Sequence, residues 1–153
     1  MKPQLKLLCA LAGLLALVPA MQAQSARSTR SSSFSYDVSE EVSVSGSVTG
    51  VLTRAGTGMV NGSHLLIAMP AGTMDVSLGP YGLVGKGALS AQLGSPVEIT
   101  GVMKMFGGKP VLLARAVTFE DRMYRIRTEH GVALSPMARE RAENASAENG
   151  GVR

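Results

Sequence analysis

Two methionines and a histidine are the residues of this chain best suited to bind a soft metal ion. Met103 and Met105 stand two positions apart, and in an extended strand that spacing puts both thioethers on one face. Thioether sulfur suits Cu(I) or Ag(I), and the imidazole of His64 can complete such a site. The same methionines also continue an apolar face begun by Val97 and Ile99, and methionine fills irregular cores well. Core packing is therefore the preferred interpretation, with a copper or silver ion as the alternative.

A second set of residues combines cations with an aromatic ring, the combination that binds single-stranded nucleic acid by stacking bases along a basic groove. Acidic residues interleave with these cations, so solvated strand faces with cross-strand ion pairs are the preferred interpretation. Nucleic acid is accordingly not the expected partner, and another polyanion is a milder form of the same hypothesis. The set consists of Arg115, Arg122, Arg125, Arg127 and Tyr124.

No arrangement of residues in the sequence predicts catalysis. Both histidines, His64 and His130, stand beside turn signals and the serines concentrate near the N-terminus, so no Ser-His-acid set can be nominated. The glycines from Gly82 to Gly87 lack the spacing and the hydroxyl residue of a phosphate-binding loop. We therefore expect a protein that binds without enzymatic activity and without a resident cofactor.

The first 23 residues predict export. Two lysines precede an apolar run over residues 7–18 that is too short to span a bilayer, and small-residue cleavage options end at Ala20 and Ala23. This is the layout of a secretory signal peptide, residues 1–23, and it predicts a periplasmic or secreted protein. Cys9 lies inside the apolar run, so the exported chain would contain no disulfide and no thiolate ligand.

Removal of that segment would also lower the charge. The basic residues fall from 15 to 13 against 11 acidic ones, so the formal net charge falls from +4 to +2. Nucleic-acid binders usually carry a more concentrated basic field. The 153 residues less 23 leave 130, which suffice for one domain, and we expect that domain to be monomeric.

Composition divides the exported chain into three parts. Residues 24–39 are rich in serine and predict a flexible linker. Residues 135–153 are rich in Ala, Glu, Asn and Gly and predict a tail that is disordered or partly helical, with a short helix possible from Met137 to Asn144. Residues 40–134 lie between them and carry the strand patterns of a folded domain.

The strand patterns predict a small all-β barrel. The first strand alternates from Val42 to Leu52, with Gly46 and Gly50 on its apolar face where a bend can form. A long bent strand is what a small closed barrel requires, since one strand must serve both sheets. Residues 81–93 show no strand pattern and predict a short irregular or helical connection. The other strands are predicted over residues 64–69, 73–78, 96–106, 109–119 and 122–127.

The predicted elements follow the order of an OB-type barrel: three strands, a connection, two strands and one extra arm. This is a five- to six-stranded Greek-key design whose closure protects its edges. An unrelated β-sandwich has the same local signals and is the alternative fold.

Four stretches resemble a group of small exported bacterial OB-type proteins. A related domain occurs in magnetosome-associated proteins, and the periplasmic bacterial OB-fold family is a looser parallel. The resemblance spans residues 42–134 and implies the barrel fold, but it implies no active site. The chain departs from the group at Ala133–Pro136, where a Pro and a Trp are common. The stretches are Gly72–Pro80, Pro96–Gly101, Gly108–Arg115 and Arg125–Gly131.

The soft-metal hypothesis has its own parallel. The segment Met103-Lys104-Met105 is similar to the Met-x-Met strand pair of a small periplasmic OB-type copper carrier, which also uses a histidine and a tryptophan. This chain has no tryptophan, so the match is confined to the methionine pair.

Together these patterns predict an exported, non-catalytic binding or accessory module of the bacterial cell envelope. Its partner would be an envelope protein or a small ligand. OB-type barrels generally bind on their open face, so we expect the surface near residues 54–61 and 106–109. A periplasmic Cu(I) or Ag(I) carrier and a polyanion-binding protein are the two alternatives.

Overall fold

A computed structural model describes residues 35–150 of the chain, the side chains of residues 146–150 excepted. The predicted signal peptide with Cys9, residues 24–34 of the predicted linker, and residues 151–153 lie outside the described residues.

Six strands and one α-helix form the described domain, and a single turn of 3-10 helix, Val38–Glu40, precedes them. The bounds agree with the predicted strands to within one or two residues, because alternating apolar residues and Gly or Pro turns mark both ends of most strands. The elements are β1 (Glu41–Leu52), β2 (Ser63–Met69), β3 (Gly72–Gly79), β4 (Pro96–Phe106), β5 (Lys109–Phe119), β6 (Arg122–Arg125) and α1 (Pro136–Gly150).

Five of the strands close into a barrel. β1 pairs antiparallel with both β2 and β4, β3 continues from β2, and β5 continues from β4. A parallel pairing of β3 with β5 completes the circle, and β6 adds to the free side of β5 as the extra arm. The structure thus confirms the predicted OB-type order, with β1 shared between the two halves of the barrel.

The sharing of β1 depends on a bend at the predicted place. Its first half pairs with β4 and its second half pairs with β2, and the register with β2 shifts between Val48 and Gly50. A Cβ on Gly46 would lie 2.5 Å from the carbonyl oxygen of Ala68, so only glycine allows the two strands to approach this closely.

The barrel is filled by the inward-facing apolar residues of all five strands. The connection from β3 to β4 consists of turns and bends, as predicted, and it adds Leu89 and Ala91 to the core. Met103 packs against the same core from its margin. Side chains with no exposed area include Leu65, Ile67, Val76, Leu78, Ile99, Leu112 and Val117.

A buried arginine holds the seam between β3 and β5. The parallel pairing is short, covering residues 75–77 of β3 and 111–113 of β5. At its end, Nη1 of Arg127 donates to the carbonyl oxygens of Ser77 (2.8 Å) and Ala114 (2.6 Å), and Nη2 donates to the Ser77 hydroxyl (3.1 Å). Arg127 therefore bridges the two strands where their own pairing stops.

The 3-10 turn gives structure to the last residues of the predicted flexible linker. Asp37 caps the turn by accepting the Ser39 N–H at 2.9 Å. The hydroxyl of Tyr36 donates to the carboxylate of Glu41 at 2.6 Å. Residues 36–39 are thus held by contacts that their serine-rich neighbourhood does not reveal.

Helix α1 extends beyond the short helix allowed for Met137 to Asn144 in the predicted tail. Ser135 caps its first turn, since its Oγ accepts the Ala138 N–H at 3.3 Å. Arg139 is 3% exposed and donates to the carbonyl oxygens of Tyr81 (3.0 Å) and Val84 (2.7 Å). These anchors lie more than 50 positions away in sequence, so the local composition of the tail does not reveal them.

Replacement of the seam arginine should destabilise the barrel. In Arg127→Met the volume is largely kept, but the acceptors on Ser77 and Ala114 lose a charged donor. Relief of the buried charge offsets part of this loss, so we expect a net decrease of about 2–4 kcal/mol in the free energy of unfolding, measured by urea titration. The matched control is Arg122→Met, at an arginine whose side chain is 58% exposed. Equal stability of the two variants would show that Arg127 is dispensable to the seam.

Candidate ligand-binding cleft

A cleft lies on the outer face of the barrel, over strands β2, β3 and β5. Leu65, Ile67 and Val76 point into the core with no exposed area. Because side chains alternate along a strand, their neighbours Leu66 and Asp75 point outward, where they form the floor of the cleft. Thr73 and Val111 complete the floor.

Two loops form the walls of the cleft. One is the β1–β2 loop, which contributes Thr57–Val60, and the other is the β4–β5 hairpin, which contributes Phe106, Lys109 and Pro110. The hairpin turn consists of Gly107 and Gly108, with φ of 56° and 78°, values that a two-residue hairpin turn of this hand requires. A Cβ on Gly107 would lie 3.6 Å from the carbonyl oxygen of Gly58, so the two walls meet above the floor.

The cleft has a volume of about 360 Å³ and a largely apolar lining. Met59, Leu66 and Phe106 provide apolar walls and floor, while Asp75 and Lys109 supply one acidic and one basic group. The cleft occupies the region where the sequence predicts the binding surface. Its size and lining are typical of small-molecule sites, in which few polar groups orient a mostly apolar ligand.

His64 links the floor of the cleft to one of its walls. The imidazole is fully buried. Its Nδ1 lies 2.6 Å from Oδ1 of Asp75, and its Nε2 lies 2.6 Å from the carbonyl oxygen of Val60. The ring therefore fixes one carboxylate oxygen of Asp75 and holds the β1–β2 loop against the barrel.

This placement bears on the prediction of His64 as a metal ligand. Both ring nitrogens already face oxygen partners within the protein, so neither is available to a metal ion. Met103 is partly buried against the core, and Met105 is 65% exposed beyond it. Within the described residues, no group of three or more His, Cys, Asp and Glu side chains is arranged to hold a metal. A soft-metal site on the methionine pair alone stays a prediction.

The fold buries two residues of the predicted polyanion surface, Tyr124 and Arg127. Tyr124 is only 8% exposed and belongs to the core, so its ring offers no face for base stacking. Arg122 lies 5.0 Å from the centre of that ring and 3.7 Å from Glu143. Arg127 is 8% exposed and is held in the seam. Base stacking on Tyr124 would require its ring to leave the core, and polyanion binding by these residues stays a prediction.

Arg115 has a structural role as well. Its Nε and Nη2 donate to the two carboxylate oxygens of Glu41 at 2.5 and 2.8 Å. This pair, together with the hydrogen bond from Tyr36, lowers the pKa of Glu41 below its usual value. The fold nevertheless brings Arg115, Arg125 and Arg127 together around a second cavity, which lies outside the cleft.

Sequence reasoning missed the polar groups that build the cleft. The sequence patterns single out neither Asp75 nor the burial of His64. The available signal was that His64 opens an otherwise apolar run, since a buried histidine requires polar partners. Which residue provides them depends on strand register, because His64 and Asp75 meet only when β2 pairs with β3.

The structure is a small OB-type barrel with a cleft between the β1–β2 loop and the β4–β5 hairpin. The model of the MamS/MamX magnetosome protein family matches residues 40–124. This match covers more than half of the chain, so the protein belongs to that family, in agreement with the resemblance to magnetosome-associated proteins. The matched segment contains every residue of the cleft. A search of curated proteins found no match.

Among the described residues, no helix combines the length and the hydropathy that crossing a bilayer requires.

Removal of the His64 ring should loosen the wall of the cleft. In His64→Leu the Val60 carbonyl and Asp75 lose their partner, and we expect a loss of about 1–3 kcal/mol in stability. The Met59 amide, which donates to Gly56 within the loop, should exchange with solvent at least about tenfold faster. Hydrogen exchange followed by NMR measures this directly.

The second histidine provides the matched control for that measurement. His130 is 84% exposed, so His130→Leu should leave the exchange of the Met59 amide unchanged. Equal exchange rates of the Met59 amide in the two variants would show that His64 does not hold the β1–β2 loop against the barrel.

Proposed function

We propose that this protein is an exported, non-catalytic binding module of the magnetosome family that captures its partner in the cleft over β2, β3 and β5. The observation that carries the proposal is the cleft itself, about 360 Å³ in volume, walled by two loops and floored by the barrel. Membership in a family described as magnetosome proteins supports an accessory role there. The signal-peptide pattern of residues 1–23 supports a periplasmic or secreted location.

The lining of the cleft favours a partner with a compact apolar group. Met59, Leu66 and Phe106 offer apolar contacts, and Asp75 and Lys109 can orient a polar substituent. One carboxylate oxygen of Asp75 is held by His64 at 2.6 Å. The other oxygen is the natural acceptor for a donor group on the partner. Such a partner is either a small molecule or an apolar side chain of an envelope protein.

The polar groups of the cleft favour binding over catalysis. They also favour a function that needs no resident cofactor. A general base must reach a proton on its substrate, whereas both nitrogens of His64 face groups within the protein. The Nε2 atom points to a backbone carbonyl, where a catalytic triad would place a nucleophilic hydroxyl. Asp75 and His64 therefore serve to shape the cleft.

Obstruction of the cleft tests the proposal. The full chain, labelled with ¹⁵N, is titrated with benzyl alcohol, a probe with one aromatic ring and one hydroxyl donor. We expect saturable shifts of the amide resonances of residues 57–60 and 106–111, with a Kd in roughly the millimolar range for so small a ligand. In Thr73→Trp the new ring fills the floor, and these shifts should disappear.

A tryptophan placed elsewhere on the barrel provides the control. Ser47 is exposed on β1 and does not line the cleft, so Ser47→Trp should bind the probe like the native chain. Absence of saturable shifts in the native chain, or their persistence in Thr73→Trp, would refute the cleft as the binding site.

A further inference from the structure

Arg127 carries a buried positive charge without an acidic partner. Arg127 is 8% exposed, and its three hydrogen bonds go to two carbonyl oxygens and one hydroxyl group, all of which are neutral. In the described part of the chain, no carboxylate forms an ion pair with it. Burial lowers its pKa to about 10, so the group is still charged at neutral pH. Buried charges are normally paired with an opposite charge. A bound anion would supply that charge to the Arg127 guanidinium.

The same arginine borders a cavity of about 450 Å³ whose lining is strongly basic. Arg115 of β5 and Arg125 of β6 also border it, and Thr128 adds a hydroxyl group. One acidic residue, Glu129, belongs to the lining, and its side chain is 73% exposed. Three arginines thus border the cavity, and one of them, Arg115, is already paired with Glu41.

A bulge in β5 brings these arginines together. The register with β4 passes from Thr100–Ala116 to Gly101–Ala114, so Arg115 is the extra residue. Its carbonyl oxygen accepts the N–H groups of Ile126 (2.7 Å) and Arg127 (3.1 Å). The backbone that carries two of the three cations is therefore fixed by hydrogen bonds, as a preformed site requires.

The three guanidinium groups differ in what they can still bind. Arg115 uses two of its nitrogens on Glu41, and Arg127 uses both terminal nitrogens on the seam. The Arg125 side chain is exposed and borders the cavity. Arg125 can therefore turn its planar fork of donors toward a ligand, in the geometry that suits phosphate and carboxylate groups.

We propose that this cavity is an oxyanion site, in which Arg125 grips a phosphate-type group and the group supplies the negative charge that Arg127 lacks. The site is independent of the cleft, because the two cavities share no lining residue. Failure of either proposal therefore leaves the other in place.

Inorganic phosphate is the first probe. We expect the full chain to bind it more tightly than chloride at matched ionic strength, measured by isothermal titration calorimetry. Arg125→Gln should lower the affinity by about tenfold, since it removes a bidentate charge-assisted contact. Arg54→Gln removes the same charge at another exposed position and should bind phosphate like the native chain.

A second readout reports on Arg127 without mutating it. The Nε–H resonance of Arg127 in a ¹⁵N spectrum should shift on titration with phosphate, and the shift should be weaker in Arg125→Gln at the same phosphate concentration. A purely structural Arg127 would not respond to phosphate.

Vesicles of phosphatidylcholine with and without phosphatidylglycerol distinguish the source of the group. Binding of free phosphate, with no preference for the anionic vesicles, identifies a soluble phosphate-bearing ligand. Preference for the anionic vesicles that Arg125→Gln abolishes identifies a lipid headgroup. The proposal is overturned if neither probe binds, or if Arg125→Gln and Arg54→Gln behave alike.

Discussion

The closure of the barrel between β3 and β5 is the constraint on which the rest of the structure depends. Their parallel pairing is short, and only residues 75–77 and 111–113 are in register. Parallel strands cannot be joined by a tight turn, so this seam unites segments that are distant in the chain. The guanidinium of Arg127 extends it by binding one carbonyl on each side. A cation can serve both acceptors at once, which backbone amides at diverging strands cannot do.

Both cavities of the domain are built around this seam. Asp75 and Val111, the first residues paired across it, form part of the floor of the cleft. At its other end, Arg127 borders the arginine-lined cavity. The floor of the cleft is thus as rigid as the barrel, while its walls are loops that can adapt to a partner. The buried ring of His64 limits that freedom by tying the β1–β2 loop to Asp75.

The strands and their order followed from the sequence because local physics determines them. Alternation of apolar residues, the glycine pair of the β4–β5 hairpin and the bend in β1 are all readable from neighbouring residues. The location of the cleft followed from the fold, since OB-type barrels bind between the same loops.

The polar interior was beyond sequence reasoning because its contacts span the fold. Arg127 lies 50 residues from Ser77, Arg139 lies 58 from Tyr81, and Arg115 lies 74 from Glu41. Whether an arginine is exposed or buried depends on such pairs, and no local pattern encodes them. For the same reason the tail gave no sign that α1 would dock on the β3–β4 connection, and Tyr124 gave no sign that it would enter the core.

Native-state hydrogen exchange of the full chain tests the central claim, that the barrel is closed at this seam, most directly. The amide hydrogens that bond across the seam, in residues 75–77 and 111–113, are compared with those of the β1–β4 ladder. A closed barrel predicts that both sets exchange only through global unfolding, with the same free energy of opening. Exchange of the seam amides more than about tenfold faster than the ladder would show that the barrel opens there, and it would contradict the account of both cavities.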